Sequence, residues 1–504
     1  MNNTRNIFKN IVGKNNAYNA ILFCIILIYA FFLFYRLGNT IFNADEHFWF
    51  QRSQNFTNAL IKRDFKNTYQ NPKPGVTVMF LSGVALELFL SGYEKIFHFR
   101  PEIYSYETFH LVSFATKAPL VILNIVLVFL FAKNLEQRMD KKTITIALFF
   151  LTINPYFIGI SRYFHGDGTL TVFMMMSAVA LIGTNTLNKK KIAVSGFFAG
   201  LAILTKLQAV YLIPFSILIL LLEFASKNIT LKEFISYSFI WIGVFMATFY
   251  LLFPALWVNP IEVLEKMYRE AFLITTEGMN SKVYYNPYVK AIPKIFTLPS
   301  IITFFLGVIY GIKRKEKVLL YSLIFIVFYV IQIQLVAQKS ERYLLPLFPF
   351  IAIVCSYGTK LIEQKISKRN YLVIMSLLVI YNGGWLVWNT PYYTAHAEMA
   401  PWGAVYVEAA NYLNKKENST ELKVIAVEKP HTFRPFFKGK TYGKDEKLPN
   451  NWTPEYIITA SPGYLPPEYS YCTLEKEIIF RRKVYWKIYT CKDTVVEHPS
   501  DKNN

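Results

Sequence analysis

The stretch NAILFCIILIYAFFLFYRLGNTIFNADEHFWFQRS, residues 19–53, joins an apolar run to a cluster of ionisable side chains. The run near residues 18–37 carries one charge, Arg36 at its end, and as a helix rising 1.5 Å per residue it matches the ~30 Å of hydrocarbon in a bilayer. Asp45, Glu46 and His47 follow directly, where the chain leaves the apolar phase. A carboxylate pair in that place is either surface decoration or chemistry.

The rest of the chain extends the first reading. Of 504 residues 53% are hydrophobic and only 17% charged, and apolar runs of near-spanning length recur, so the sequence specifies a mainly α, multi-pass membrane protein. About eleven spans are expected, centred near residues 27, 120, 152, 178, 198, 215, 245, 305, 327, 352 and 380. The net charge of +21 does not mark a nucleic-acid binder, because the basic residues sit in short clusters between apolar runs: Lys133 to Lys142, Lys189 to Lys191, Lys313 to Lys317, and Lys365 to Arg369. Under the positive-inside rule these are cytoplasmic loops, with a cytoplasmic N-terminus and, for an odd number of spans, a C-terminus outside. Arg5, Lys9 and Lys14 precede the first run, which lacks a small-residue cleavage site and reads as an uncleaved helix.

This topology gives a membrane domain, residues 1–389, with outward loops at 38–107, 161–168 and 255–296, followed by an extracytoplasmic α/β domain at 390–504. In the first loop Trp49, Phe56, Ala59 and Leu60 recur at helical spacing opposite Arg52 and Arg63, which predicts a helix on the membrane surface. PGVTVMFLSGVALELFL after it, short for a span and carrying Glu87, reads as a second juxtamembrane helix. Asn259 and Pro260 start a helix whose stripe Ile261, Leu264, Tyr268 and Phe272 packs on membrane or core. In the tail WGAVYVEAANYLNKK is helical by period, and LKVIAVEK, EYIITA and KEIIFRRKVYWKIYTC read as strands. Cys24 and Cys355 fall in apolar runs; Cys472 and Cys491 form a pair if the tail faces an oxidising compartment.

Ionisable groups near membrane depth cost about 2.5 to 3.5 kcal/mol each at mid-helix, so those that persist there are informative. Asp45, Glu46, Arg162, His165, Asp167, Lys206, Lys339 and Arg342 all fall at the outer face on this topology, and Lys117 lies in the outer half of its helix. A carboxylate acting as general base on a hydroxyl contributes on the order of 10² to 10⁴ in rate, and interfacial cations stabilise a departing lipid phosphate. Transfer of a sugar from a lipid phosphate to a hydroxyl needs both. Asp45 and Glu46 diverge by roughly a hundred degrees on a helix, so one faces the site and the other supports it.

ADEHFWF after the first span resembles the Asp-Glu motif of the protein O-mannosyltransferase family, and SRYFHGDGTLTVF resembles its second-loop Ser-Arg-Tyr…Asp pattern. NPKPGVTVMFLSG, GFFAGLAILTKLQAVYLIPF and SERYLLPLFPF resemble further segments of the superfamily that includes the aminoarabinose transferases. The likeness runs over roughly residues 20–390. It implies a GT-C fold, a polyprenyl-phosphate-linked, mannose-like sugar donor, a hydroxyl acceptor on protein, lipid or glycan, and inversion at the anomeric carbon. By the same resemblance Asp45 is the base with Glu46 beside it, Asp167 is the second-loop carboxylate, and Arg162 orients that loop. Lys73, Lys206 and Arg342, together with Arg162, are the resemblance's candidates for the donor phosphate. Lys117 stands where the family pattern leads one to expect arginine and can serve a phosphate without a bidentate fork.

No cofactor is implied. His47 and His165 beside Asp45, Glu46 and Asp167 leave a divalent metal open, although their spacing fixes no geometry. A transporter or flippase for a lipid-linked saccharide and a non-catalytic scaffold presenting the C-terminal domain are the rival readings. The former calls for polar groups near the midplane and an internal repeat, neither evident in this sequence.

Overall fold

The structure, a computed structural model, describes residues 2–39, 44–182, 187–276, 287–396, 406–428, 430–449, 452–460, 463–480 and 483–491. The chain packs as two compact units. The first comprises Met1–Leu37, Trp49–Glu87 and Ala115–Tyr393, and the second Gly38–Phe48, Leu88–Phe114 and Thr394–Asn504. The second unit thus joins the C-terminal residues from Thr394 to two earlier segments, Gly38–Phe48 and Leu88–Phe114.

The helices in chain order are α1 (Asn2–Phe34), α2 (Ala44–Ile61), α3 (Val76–Phe97), α4 (Phe109–Leu135), α5 (Lys141–Thr152), α6 (Pro155–Ser161), α7 (Gly166–Leu181), α8 (Lys189–Thr205) and α9 (Leu212–Ala225). They continue as α10 (Leu231–Leu251), α11 (Ala255–Val258), α12 (Pro260–Thr276), α13 (Pro287–Ile295), α14 (Leu298–Arg314), α15 (Lys317–Leu335), α16 (Phe348–Lys365) and α17 (Lys368–His396). Among the described residues eight helices are long and apolar enough to cross a membrane. The number is ten if the bent pairs α5/α6, at 66°, and α13/α14, at 110°, each count once. Each of the eleven expected centres falls inside a helix, but α7 has only 16 residues and α8 opens on three lysines. The α3 helix differs from its expectation: it runs on to Phe97, reaches 22 residues and has the length and composition of a span.

Local chemistry explains the breaks and the tight crossings. At the α5/α6 bend Pro155 has no amide hydrogen, and Asn154 takes over the helix start by accepting from the amides of Tyr156 and Phe157 at 3.0 and 3.1 Å. Its own side-chain amide donates to the Ile295 carbonyl at 3.0 Å. The α14 and α16 helices cross with their backbones touching, since a Cβ on Gly307 would lie 2.0 Å from the Val354 carbonyl oxygen and one on Gly358 1.9 Å from that of Thr303. Only glycine permits this approach, in the manner of small-residue contacts between membrane helices.

The two outward-loop helices expected to carry apolar stripes differ in what covers them. The apolar face of α2 is covered by protein: Trp49, Phe56 and Ala59 are buried, and Phe56 meets Phe80 of α3 edge-on at 4.8 Å. Its stripe is core, not membrane anchor. In α12 Val263 and Met267 are buried, whereas Ile261 (80% exposed), Leu264, Tyr268 and Phe272 face away from the protein.

Within the second unit α18 (Tyr406–Leu413) lies with strands β1 (Lys423–Ala426), β2 (Lys440–Gly443), β3 (Tyr456–Ala460), β4 (Thr473–Phe480) and β5 (Lys483–Thr490). The sheet order is β2-β1-β3-β5-β4, parallel from β2 to β3 and antiparallel thereafter. Tyr406, Leu413, Val424, Phe433, Ile458 and Trp486 build the core on one face. Cys472 and Cys491 form a disulfide, their Cα atoms 4.4 Å apart. Phe109 meets Phe436 edge-on at 5.4 Å, and Lys438 lies over the Tyr106 ring, so the segment Leu88–Phe114 packs on the sheet domain.

Candidate active site

In the first unit, the turn between α6 and α7 assembles a buried ionic cluster. Ser161 ends α6, Arg162 to Phe164 make the turn, and His165 precedes α7 in extended conformation. A Cβ on Gly168 would sit 2.7 Å from Ser161 Cα, so glycine lets the start of α7 press against the end of α6. This sets Asp167 in the first helical turn, where the helix dipole favours its carboxylate.

Three basic side chains meet that carboxylate. Lys206, held in extended backbone at the end of α8, donates from Nζ to Asp167 Oδ1 at 2.5 Å. His165 Nδ1 is 2.8 Å from Oδ2, and Arg342 Nε is 3.7 Å from the same oxygen. Arg342 Nη1 is also 3.4 Å from His165 Nε2. A neutral imidazole with its proton on Nδ1 satisfies both contacts, donating to the carboxylate and accepting from the guanidinium. One carboxylate then faces two basic side chains besides the histidine, Lys206 and Arg342, in a site where the Lys206 and Asp167 side chains are only 13% and 5% exposed. Lys206 lies over the Tyr343 ring at 5.2 Å, and Trp49 sets its edge to His165 at 5.8 Å.

The other expected cations divide. Lys73 pairs with Glu270 at 3.1 Å, is partly exposed, and lies close enough for its charge to act on Lys206. Arg162 is buried and donates from Nη2 to the Tyr35 carbonyl, fixing the turn to the end of α1. Lys117 is fully buried in α4. Lys339 turns back on its own segment, donating to the Val336 carbonyl at 2.7 Å.

Asp45, Glu46 and His47 belong to the second unit, in the first turn of α2. Glu46 is fully buried and Asp45 partly exposed. His47 Nδ1 is hydrogen-bonded to the Tyr104 hydroxyl at 2.7 Å, and its ring stacks face to face on His431 with centroids 4.0 Å apart. Burial, then the neighbouring His431 and Arg434, lower the His47 pKa to about 4. Among the described residues no group of three or more His, Cys, Asp or Glu side chains is placed to hold a metal ion.

Residues 105–256 match the family model described as dolichyl-phosphate-mannose-protein mannosyltransferase. No curated protein sequence matches the chain. Among solved structures, ArnT from Cupriavidus metallidurans bound to undecaprenyl phosphate is similar with a TM-score of 0.56 at 12% identity, over 94% of this chain and 98% of that one. The apo state of the same protein gives 0.54 at 11% identity, over the same shares. At these identities the likeness shows a shared fold.

The segment matched by the family model contains Lys117, Arg162, His165, Asp167 and Lys206, whereas Asp45, Glu46, Lys73 and Arg342 lie outside it. Sequence reasoning missed the aromatic lining of the ionic cluster. The sequence places Trp49 on a surface helix and gives Tyr343, next to Arg342 in SERYLLPLFPF, no role. Adjacency to ionisable residues was the available signal.

Proposed function

We propose that the protein transfers a mannose-like sugar from a polyprenyl-phosphate donor to a hydroxyl acceptor at the outer face of the plasma membrane, with inversion. In this reading Asp45 takes the acceptor proton, the acceptor oxygen forms a bond to the anomeric carbon, and the bond from that carbon to the phosphate oxygen breaks. The lipid phosphate departs with the electron pair, and its added negative charge is met by Lys206 and Arg342, supported by Lys73 and Lys117. Glu46 supports Asp45, and Arg162 holds the loop that carries the cluster.

The single observation that carries this reading is the Asp167 cluster. A carboxylate already engaged by Lys206 and His165 is no free base. Its place suits a role in holding two buried cations together until a phosphate arrives. The undecaprenyl phosphate bound by the similar ArnT supports a polyprenyl phosphate here. No metal is assigned a role: Lys206 and Arg342 supply the charge that a cation would bring. The acceptor is a hydroxyl on protein, lipid or glycan.

The test is transfer of radiolabelled sugar by the purified protein from a panel of polyprenyl-phosphate sugars. Turnover with one donor, giving the inverted anomer, is the expected result. Turnover with retention would overturn the single-displacement reading, and protein-dependent movement of the donor across vesicles without transfer would favour a flippase.

A further inference from the structure

The Asp-Glu pair of α2 is followed by a histidine whose contacts come from two distant segments of the second unit. Tyr104 reaches His47 from the segment Leu88–Phe114, and His431 from the turn after β1. The two imidazoles are parallel to within 1° at a 4.0 Å centroid separation, closer than ordinary offset aromatic pairs, which span about 4.5 to 7 Å.

The start of a helix is its least constrained part, because its first amides have no intrahelical acceptor and its residues fray. Asp45 and Glu46 are in that first turn, so a ring clamped one residue later limits the positions their carboxylates can take. His431 is itself held. It lies in the short helical turn Pro430–Phe433, whose Phe433 is in the sheet-domain core, and the next residue, Arg434, binds Glu446 at 2.8 Å and the Thr441 carbonyl at 3.1 Å. Burial lowers the pKa of both imidazoles; Arg434 adds to this at each and Glu446 opposes it at His431, so neutral rings can stack without charge repulsion.

We propose that His431 is a positioning residue for the Asp45–Glu46 turn of α2, acting through its stack on His47, and that the C-terminal domain thereby forms part of the catalytic apparatus. The consequence for turnover rests on Asp45 being the base. The positioning itself does not, and the two are read separately.

The experiment compares full-length wild type, His431→Ala and His431→Phe for kcat, donor KM and hydrogen exchange of the amides at residues 44–48. His431→Ala is expected to lower kcat at least ~10-fold with donor KM within about twofold, and to speed exchange at 44–48 at least ~10-fold. Exchange in β1, β3 and β5 is expected to stay at the wild-type rate, which separates lost positioning from a failed fold. His431→Phe restores a flat ring and is expected to return kcat and exchange to within about threefold. If β-strand exchange changes in His431→Ala, His47→Ala removes the stack from its other side. Wild-type exchange at 44–48 in His431→Ala, or equal losses in the Ala and Phe variants, would overturn the proposal. Altered exchange in a protein whose wild type transfers no sugar would leave the positioning intact and refute only the catalytic reading.

Discussion

Lys206→Met tests the ionic cluster by its energetics as well as by activity. The substitution keeps the length of the side chain and removes the lysine from a carboxylate that is 5% exposed. Breaking a buried ion pair typically costs about 3 to 5 kcal/mol, and the remaining Arg342 at 3.7 Å places this case near the lower end, about 3. Asp167→Asn leaves Lys206 and Arg342 facing each other and is expected to cost a similar ~3 kcal/mol. Independent sites would sum to about 6 kcal/mol, but in the double variant neither orphaned charge of the pair remains, so the predicted cost stays near ~3 and the coupling is about 3 kcal/mol. Equilibrium unfolding by SDS titration in mixed micelles measures all three. Transfer activity is expected to fall at least ~100-fold in every variant that lacks Lys206, including the double variant, which is expected to be no less stable than either single one. Additive costs would refute the coupled cluster, and full activity in Lys206→Met would remove this lysine from the donor site.

Other outcomes follow from individual contacts. Gly168→Ala forces a Cβ to 2.7 Å from Ser161 Cα and is expected to cost about 1 to 3 kcal/mol in the same titration. Gly92→Ala in α3, with nothing within 4 Å of the added carbon, is expected to be stabilising by up to about 1 kcal/mol. The Cys472–Cys491 bridge, 19 residues apart, is expected as a linked pair in non-reducing peptide maps, and Cys472→Ser with Cys491→Ser should cost about 3 kcal/mol by loop entropy. Chelation with EDTA is expected to leave turnover unchanged, since cationic side chains take the place of a metal in the proposed reaction; loss of turnover restored by a divalent ion would refute that assignment.

Nine of the eleven expected centres fall in helices or bent pairs with the length and composition of a span, because hydrocarbon thickness demands long apolar helices and that demand is written locally; those in α7 and α8 do not. Where tertiary packing decides, the sequence misled. The α2 stripe of Trp49, Phe56 and Ala59 has the pattern of an interfacial helix, and only the partner α3 turns it into core. Strand β2, Lys440–Gly443, is four residues long, too short for alternation to register, and it exists because β1 offers a parallel edge. In the site, Asp167, Lys206 and Arg342 could be nominated one by one as ionisable residues at span ends. That they meet, and that Lys73 pairs with Glu270, depends on long-range packing that single-residue patterns do not carry.

The central claim is that Asp45 removes the acceptor proton, and the most direct measurement is single-turnover transfer by Asp45→Asn beside the wild type at saturating polyprenyl-phosphate sugar. A base of this kind is worth about 10² to 10⁴ in rate, so product formation should slow by that factor with donor affinity unchanged. Wild-type rates in the folded variant would contradict the account and require another group to act as the base.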